Sequence, residues 1–188
     1  MADFWRDIIW KQFSATIDMF GNAISACPDK LWKAHMWHDD SSPTELSTFW
    51  YVAYHTLFWL DLYLSGAVEG FIPPAPFDLN ELDPRGLLPE KSFNKDELQT
   101  YWAYCRQKCR DILQHLTDEQ VHQICHFSWS QGELTFAELL LDNMRHVQEH
   151  GAQLNMFLGQ QAGITARWVA QAKVNNRDVS LPGHASGE

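Results

Sequence analysis

His146 and His150 stand four residues apart in a segment with strong helical periodicity. That spacing projects two imidazoles from one helix face about one turn apart, an arrangement in which two histidines can share a metal ion. Chance produces many such pairs. This one gains weight because both residues lie on the apolar side of their helix, where a neutral imidazole needs partners for its ring nitrogens. His55 falls near the middle of another apolar helix, so it can stand at the same level. From spacing alone His55 is equally well read as a core histidine bonded to a backbone carbonyl.

Other polar clusters compete. Cys105 and Cys109 also share a helical face at ligand spacing, but small buried thiols fill such positions as packing residues. His35, His38, Asp39 and Asp40 read first as a solvated loop and second as part of a pocket mouth. His115, His122, His126 and His184 read as surface or loop residues. There is no glycine-rich phosphate loop, nucleophile elbow or zinc-ribbon cysteine pair.

Four segments carry helical periodicity, and the second and fourth hold the three histidines. The first is expected over residues 3–26, with Trp5, Ile9, Phe13, Ile17, Phe20 and Ile24 three or four apart, interrupted only by Gly21. The second starts at Ser42, Pro43, Thr44 and Glu45, which read as a capping box, and runs to about Ser65. It is apolar nearly all round; only Ser47, Tyr54 and Asp61, seven apart, look like a solvent line. Residues 66–93 hold Pro73, Pro74, Pro76, Pro84 and Pro89 and have no period. In a four-helix bundle they form a long crossover that makes helices 2 and 3 parallel, with a lid over a site as the second reading. The third helix runs from the Asn94–Glu97 capping signal to about Leu116, with a seam of Leu98, Trp102, Cys105, Cys109, Ile112 and Leu116. A short turn of helix within 117–125 and a loop over 126–132 follow. The fourth runs from the Thr135–Glu138 capping box to about Gly159, and a short amphipathic piece surrounds Trp168. The fold class expected is therefore all-α, with the bundle over 1–172 and a flexible tail over 173–188. Trp50, Leu57, Leu60, Trp102, Cys109, Leu140, Val147 and Leu154 are the expected core.

This order of features resembles the DinB-like four-helix metalloproteins, the superfamily that includes maleylpyruvate isomerase-type and bacillithiol-type thiol transferases. The resemblance rests on Leu31-Trp32, on Tyr54-His55 late in an aromatic helix, and on His146-Val147-Gln148-Glu149-His150-Gly151-Ala152-Gln153, which is similar to that family's His-x-x-x-His-x-x-Gln signature. It spans roughly residues 4–160 and implies that His55, His146 and His150 bind one divalent ion, zinc or nickel, with Gln153 supporting His150.

Three neutral imidazoles leave such an ion its full charge and an open position, where a water's pKa can fall from about 15.7 toward about 7. A thiolate or a substrate carbonyl could take the same position. Two functions are therefore expected: a metal-dependent hydrolase or thiol-dependent transferase, or a non-catalytic metal-stabilised binding or dimerisation module. Neither Glu149 nor Asp142 is fixed as a general base by its helical phase.

Composition narrows the partners. A net charge of −10, from 24 acidic and 14 basic residues, disfavours nucleic acid. No apolar run reaches a membrane span, the first residues carry no basic segment and apolar core, and the four cysteines read as thiols, so a cytoplasmic location is expected. Nine tryptophans suggest an apolar helix face and a homodimer acting on a small molecule.

Overall fold

A computed structural model describes residues 2–38, 44–130 and 132–172. Its frame is helical: α1 (Ala2–Ala26), α2 (Phe49–Ser65), α3 (Lys95–His115), the short α4 (Asp118–His122) and α5 (Phe136–Ala162). Extended pairing among the described residues consists of an isolated bridge between His35 and Thr48 and a pair of two-residue strands, β1 (Ile124–Cys125) and β2 (Leu134–Thr135), antiparallel with Ile124 opposite Thr135.

The long helices pack α1 on α3 and α5, and α2 on α3 and α5. Polar pairs give their directions. Arg6–Gln114, Asp18–Arg106 and Ser25–Gln99 run in opposite order along α1 and α3, which are antiparallel. Leu57–Cys105 and Asp61–Lys108 run in the same order, so α2 and α3 are parallel. Asn143 Nδ2 donates to the Leu60 carbonyl, which ties the polar residue on the α5 seam to α2.

The predicted caps at Asn94 and Thr135 form as reciprocal capping boxes. The start of α2 differs. Ser42 and Pro43 lie outside the described residues, residues 44–47 make a 3-10 turn, and α2 begins only at Phe49. Residues 32–36 run against 47–50 there, with Met36 N–H bonded to Ser47 O, and the first donors of α2, Phe49 N–H and Trp50 N–H, are met by Ala34 O and Trp32 O in place of a side-chain cap.

Ser47, Tyr54 and Asp61, expected in solvent, are 5%, 0% and 0% exposed. Residues 35 and 36 meet Ser47, and the connection over 66–93 covers Tyr54. Its Phe77 stacks on Tyr54 and Tyr101, and Phe93 packs on both Tyr54 and Phe77. Asp61 is met from α3 by Lys108 Nζ at 2.5 Å and by the Tyr101 hydroxyl at 3.0 Å. Tyr101 and Leu113 are accordingly buried, while Trp102 and Ile112 are only partly so. The other seven expected core residues, Trp50, Leu57, Leu60, Cys109, Leu140, Val147 and Leu154, are buried. No helix forms around Trp168, which is 71% exposed. Instead residues 163–172 run back beside α1, where Asn22 donates to Arg167 O and Ala172 N–H to Lys11 O.

Trp102 earns its position by lying on Gly21 and donating its indole N–H to Ile17 O at 2.8 Å. A Cβ on residue 21 would meet that ring at 2.5 Å. Gly21→Ala, which in an open helix would gain up to about 1 kcal/mol, is therefore expected to destabilise by about 1–3 kcal/mol, read as a lower urea midpoint.

Candidate metal centre

Residues 49–65 fold as a helix buried on most of its circumference, which carries His55 against α5. Among the described residues, the ring nitrogens of His55, His146 and His150 form a group in which one nitrogen from each lies within 4.8 Å of the others. The ring centroids are 5.4 Å (His55–His146), 5.2 Å (His55–His150) and 4.6 Å (His146–His150) apart. Phe49–Phe157 and Leu60–Asn143 run in opposite order along α2 and α5, and this antiparallel run brings residue 55 level with the turn 146–150.

Two tautomers are set by partners. His55 Nδ1 lies 2.7 Å from Glu81 Oε2, and His150 Nδ1 lies 2.8 Å from Gln153 Oε1. Both oxygens are acceptors, so each Nδ1 carries the proton and each Nε2 keeps its lone pair. His146 Nδ1 is buried with no protein partner. An orphaned polar nitrogen beside two prepared ones fits a cation held by these rings, because the donor set is all imidazole. The His55 side chain retains 31% exposure, so the cluster is open on one side.

Glu81 was not among the candidates read from the sequence. It sits in a 3-10 turn (Asn80–Leu82) of the aperiodic connection, with its side chain 4% exposed. Its carboxylate also accepts from the Tyr51 hydroxyl at 2.5 Å and from Trp59 Nε1 at 2.9 Å. Burial alone would raise its pKa, but His55, Tyr51 and Trp59 together outweigh that and hold it below the usual carboxylate range. Glu149, by contrast, is exposed, and Asp142 is half-buried with Arg145 at 3.3 Å.

An aromatic wall flanks His55 and His146. Trp59 lies 6.1 Å from His55 and Tyr63 lies 6.5 Å from His146, by ring centroids. The β1–β2 hairpin adds Phe127 and Trp129, with Trp129 edge-on to Trp59 at 5.0 Å and donating to the Tyr63 hydroxyl at 3.2 Å. Nothing periodic in residues 126–132 announced this.

The competing residues lie elsewhere. All four cysteines are free and buried. Burial raises the Cys105 and Cys109 thiols well above their ordinary range, and Cys105 Sγ–H points to the Leu57 carbonyl, so both act as packing thiols. His35, His38, His115, His122 and His126 are exposed, and Asp39, Asp40 and His184 lie outside the described residues.

The sequence profile of the DinB superfamily matches residues 12–154. The chain belongs to the DinB superfamily. No curated protein and no solved structure matches it. The matched stretch of this DinB-superfamily chain includes all three histidines, Glu81 and Gln153.

Burial, and next the charges His150 and His55 can carry, push the His146 pKa from 6.5 down to about 3. Burial also lowers that of His150. Between pH 6.5 and about 3 the unfolded chain then binds a proton at residue 146 that the folded chain does not. Folding stability therefore rises with pH across this window and is lost as pH falls through it. Metal-stripped protein is expected to melt at progressively lower temperature below pH 6.5, and His146→Leu is expected to flatten that slope.

Proposed function

We propose that this DinB-superfamily protein is a metal-dependent enzyme, a hydrolase or a thiol-dependent transferase, built on one divalent ion held by His55, His146 and His150. The observation that carries the reading is the convergence of three imidazole nitrogens within 4.8 Å, two of them already oriented by acceptors on Nδ1. Imidazole ligands suit zinc and nickel. When bound, the ion supplies a Lewis acid that lowers the pKa of a water or thiol set against it, or polarises a carbonyl.

The chain's own residues do the rest. Glu81 and Gln153 fix ring orientation and, in the neutral rings, hold the proton on Nδ1 so that Nε2 faces the ion. Glu81 has no role as a free base in this scheme, because both its oxygens are occupied by donors. Trp59, Tyr63 and Trp129 exclude water from one flank and offer flat apolar surface to an organic substrate. Incubating the metal-loaded chain with thiol cofactors and simple esters tests the reading: turnover that disappears after chelation supports it.

The parallel run of α2 and α3 supports reading the architecture as a four-helix bundle with residues 66–93 as its crossover. A cytoplasmic location is part of the same proposal and is supported by four unpaired cysteines. No helix among the described residues is long and apolar enough to cross a membrane. A homodimer is also proposed: Phe4 and Trp5, 64% and 57% exposed at the start of α1, leave apolar surface for a second copy. Sedimentation is expected to give twice the chain mass at micromolar concentration, and a monomer removes the dimer.

A further inference from the structure

Residues 66–93 are held to the helices at two apolar anchors on either side of Glu81. Before it, Phe71 packs on Phe58 and Phe77 stacks on Tyr101 with centroids 4.2 Å apart. After it, Phe93 packs on Phe77, and its carbonyl accepts from the Trp32 indole at 2.9 Å. The segment between these anchors has a different kind of attachment. Leu82 and Leu88 are only partly buried, and Arg85 is an exposed partner of Asp83. The polar attachment that reaches the helix interior is the Glu81 carboxylate, which enters the gap between Tyr51, His55 and Trp59 on successive turns of α2.

A carboxylate 4% exposed is costly unless its oxygens are fully engaged, and here three donors engage them. One of those donors is the His55 ring. A cation on the far nitrogen of that ring makes Nδ1–H a stronger donor, and the carboxylate in turn offsets part of the positive charge of a site whose three direct ligands are neutral.

From this geometry we propose that Glu81 is the positioning residue of the three-histidine site, and that ion binding and docking of residues 79–86 are coupled through it. The proposal rests on the metal reading above. Linkage makes the coupling reciprocal: the factor by which a docked Glu81 tightens ion binding is the factor by which the ion holds the segment closed. The connection thereby becomes a part of the site that tightens when the ion arrives. The flanking phenylalanines confine the response to the stretch between them.

Two backbone amides report the docking, since Leu82 N–H is bonded to Leu79 O at 2.9 Å and Asp83 N–H to Asn80 O at 3.0 Å. The experiment uses the full, tag-free chain, zinc chloride as probe in competition with a chelator, and hydrogen exchange at these amides. In the wild type, zinc is expected to slow exchange at Leu82 and Asp83. Glu81→Gln is expected to bind zinc about 10–100-fold more weakly with unchanged helical circular dichroism, and zinc is expected to leave its two amides unprotected. Tyr51→Phe, which keeps the carboxylate and its bond to His55, is expected to bind close to wild type. Equal zinc affinity of Glu81→Gln and wild type overturns the proposal while leaving the three-histidine reading intact, as does zinc-insensitive exchange at Leu82 and Asp83. If Glu81→Gln does not fold, the wild-type exchange measurement decides alone. Failure of the wild type to bind zinc removes the metal reading and this coupling with it.

Discussion

Replacing His55, His146 or His150 singly by alanine is expected to abolish stoichiometric binding of a divalent ion while leaving the helical circular dichroism essentially unchanged. Removing one of three direct ligands must cost more than the roughly 10–100-fold that losing a supporting group costs. The fold should survive because the core is made by long apolar seams: Phe13, Ile17, Phe20, Leu57, Leu60, Val147 and Leu154 are all fully buried without help from the histidines. The three variants should differ in metal-free stability. His55→Ala leaves Glu81 without its imidazole donor in a buried place, and His150→Ala frees Gln153. His146→Ala removes a nitrogen that already lacks a partner, so it should be the least costly, since an unsatisfied buried group carries a penalty of about 1–3 kcal/mol. His55, with its buried carboxylate partner, should be the most costly of the three. His122→Ala and His126→Ala, both exposed, should retain full metal. Metal content after dialysis, with urea unfolding of the stripped proteins, checks each of these.

The second large effect concerns Lys108, far from any chemistry. Its ammonium donates to the Asp61 carboxylate, the Asp61 carbonyl and the Ser65 hydroxyl, and Asp61 is 0% exposed. Lys108→Met leaves that carboxylate buried with only the Tyr101 hydroxyl, and breaking such a pair costs about 3–5 kcal/mol, comparable with a whole domain's stability. The double variant Asp61→Leu/Lys108→Met should recover most of the loss, because a well-packed apolar pair can replace a buried ion pair. The pH dependence has a definite sign. Burial raises the Asp61 pKa above 3.8 even with Lys108 and Tyr101 opposing it. A carboxyl with a raised folded pKa holds its proton more tightly when folded, so its ionisation costs stability as pH rises through that pKa. Removing Lys108 enlarges the cost. The deficit of Lys108→Met should grow as pH rises through the Asp61 pKa and shrink as acid protonates Asp61, which urea midpoints across pH would show.

Asp61 also marks where sequence reasoning stopped. Capping boxes are local chemistry, so Asn94–Glu97 and Thr135–Glu138 could be recognised from four residues each, and they formed. The histidine pair of α5 was equally local. A helix apolar on nearly every side has no periodicity to reveal its exposed face, and Ser47, Tyr54 and Asp61 were assigned to solvent because they were the polar residues available. The burial of Tyr54 and Asp61 depends on Phe77, Phe93 and Tyr101, which arrive from a proline-rich connection and a different helix, and Ser47 is met by residues 35 and 36. Glu81 was hidden for the same reason. Its role comes from Tyr51, His55 and Trp59, 22 to 30 residues earlier, and no spacing rule spans an aperiodic segment. Trp129 likewise reaches the site only because a two-residue strand pair closes its loop.

X-ray absorption at the metal edge of tag-free, wild-type protein tests the central claim most directly. One ion per chain is expected, with a first shell of three imidazole nitrogens at about 2.0–2.1 Å and no sulfur. A sulfur shell at about 2.3 Å, or protein that takes up no divalent ion at stoichiometric level, would contradict the account and return His55, His146 and His150 to the role of packing residues.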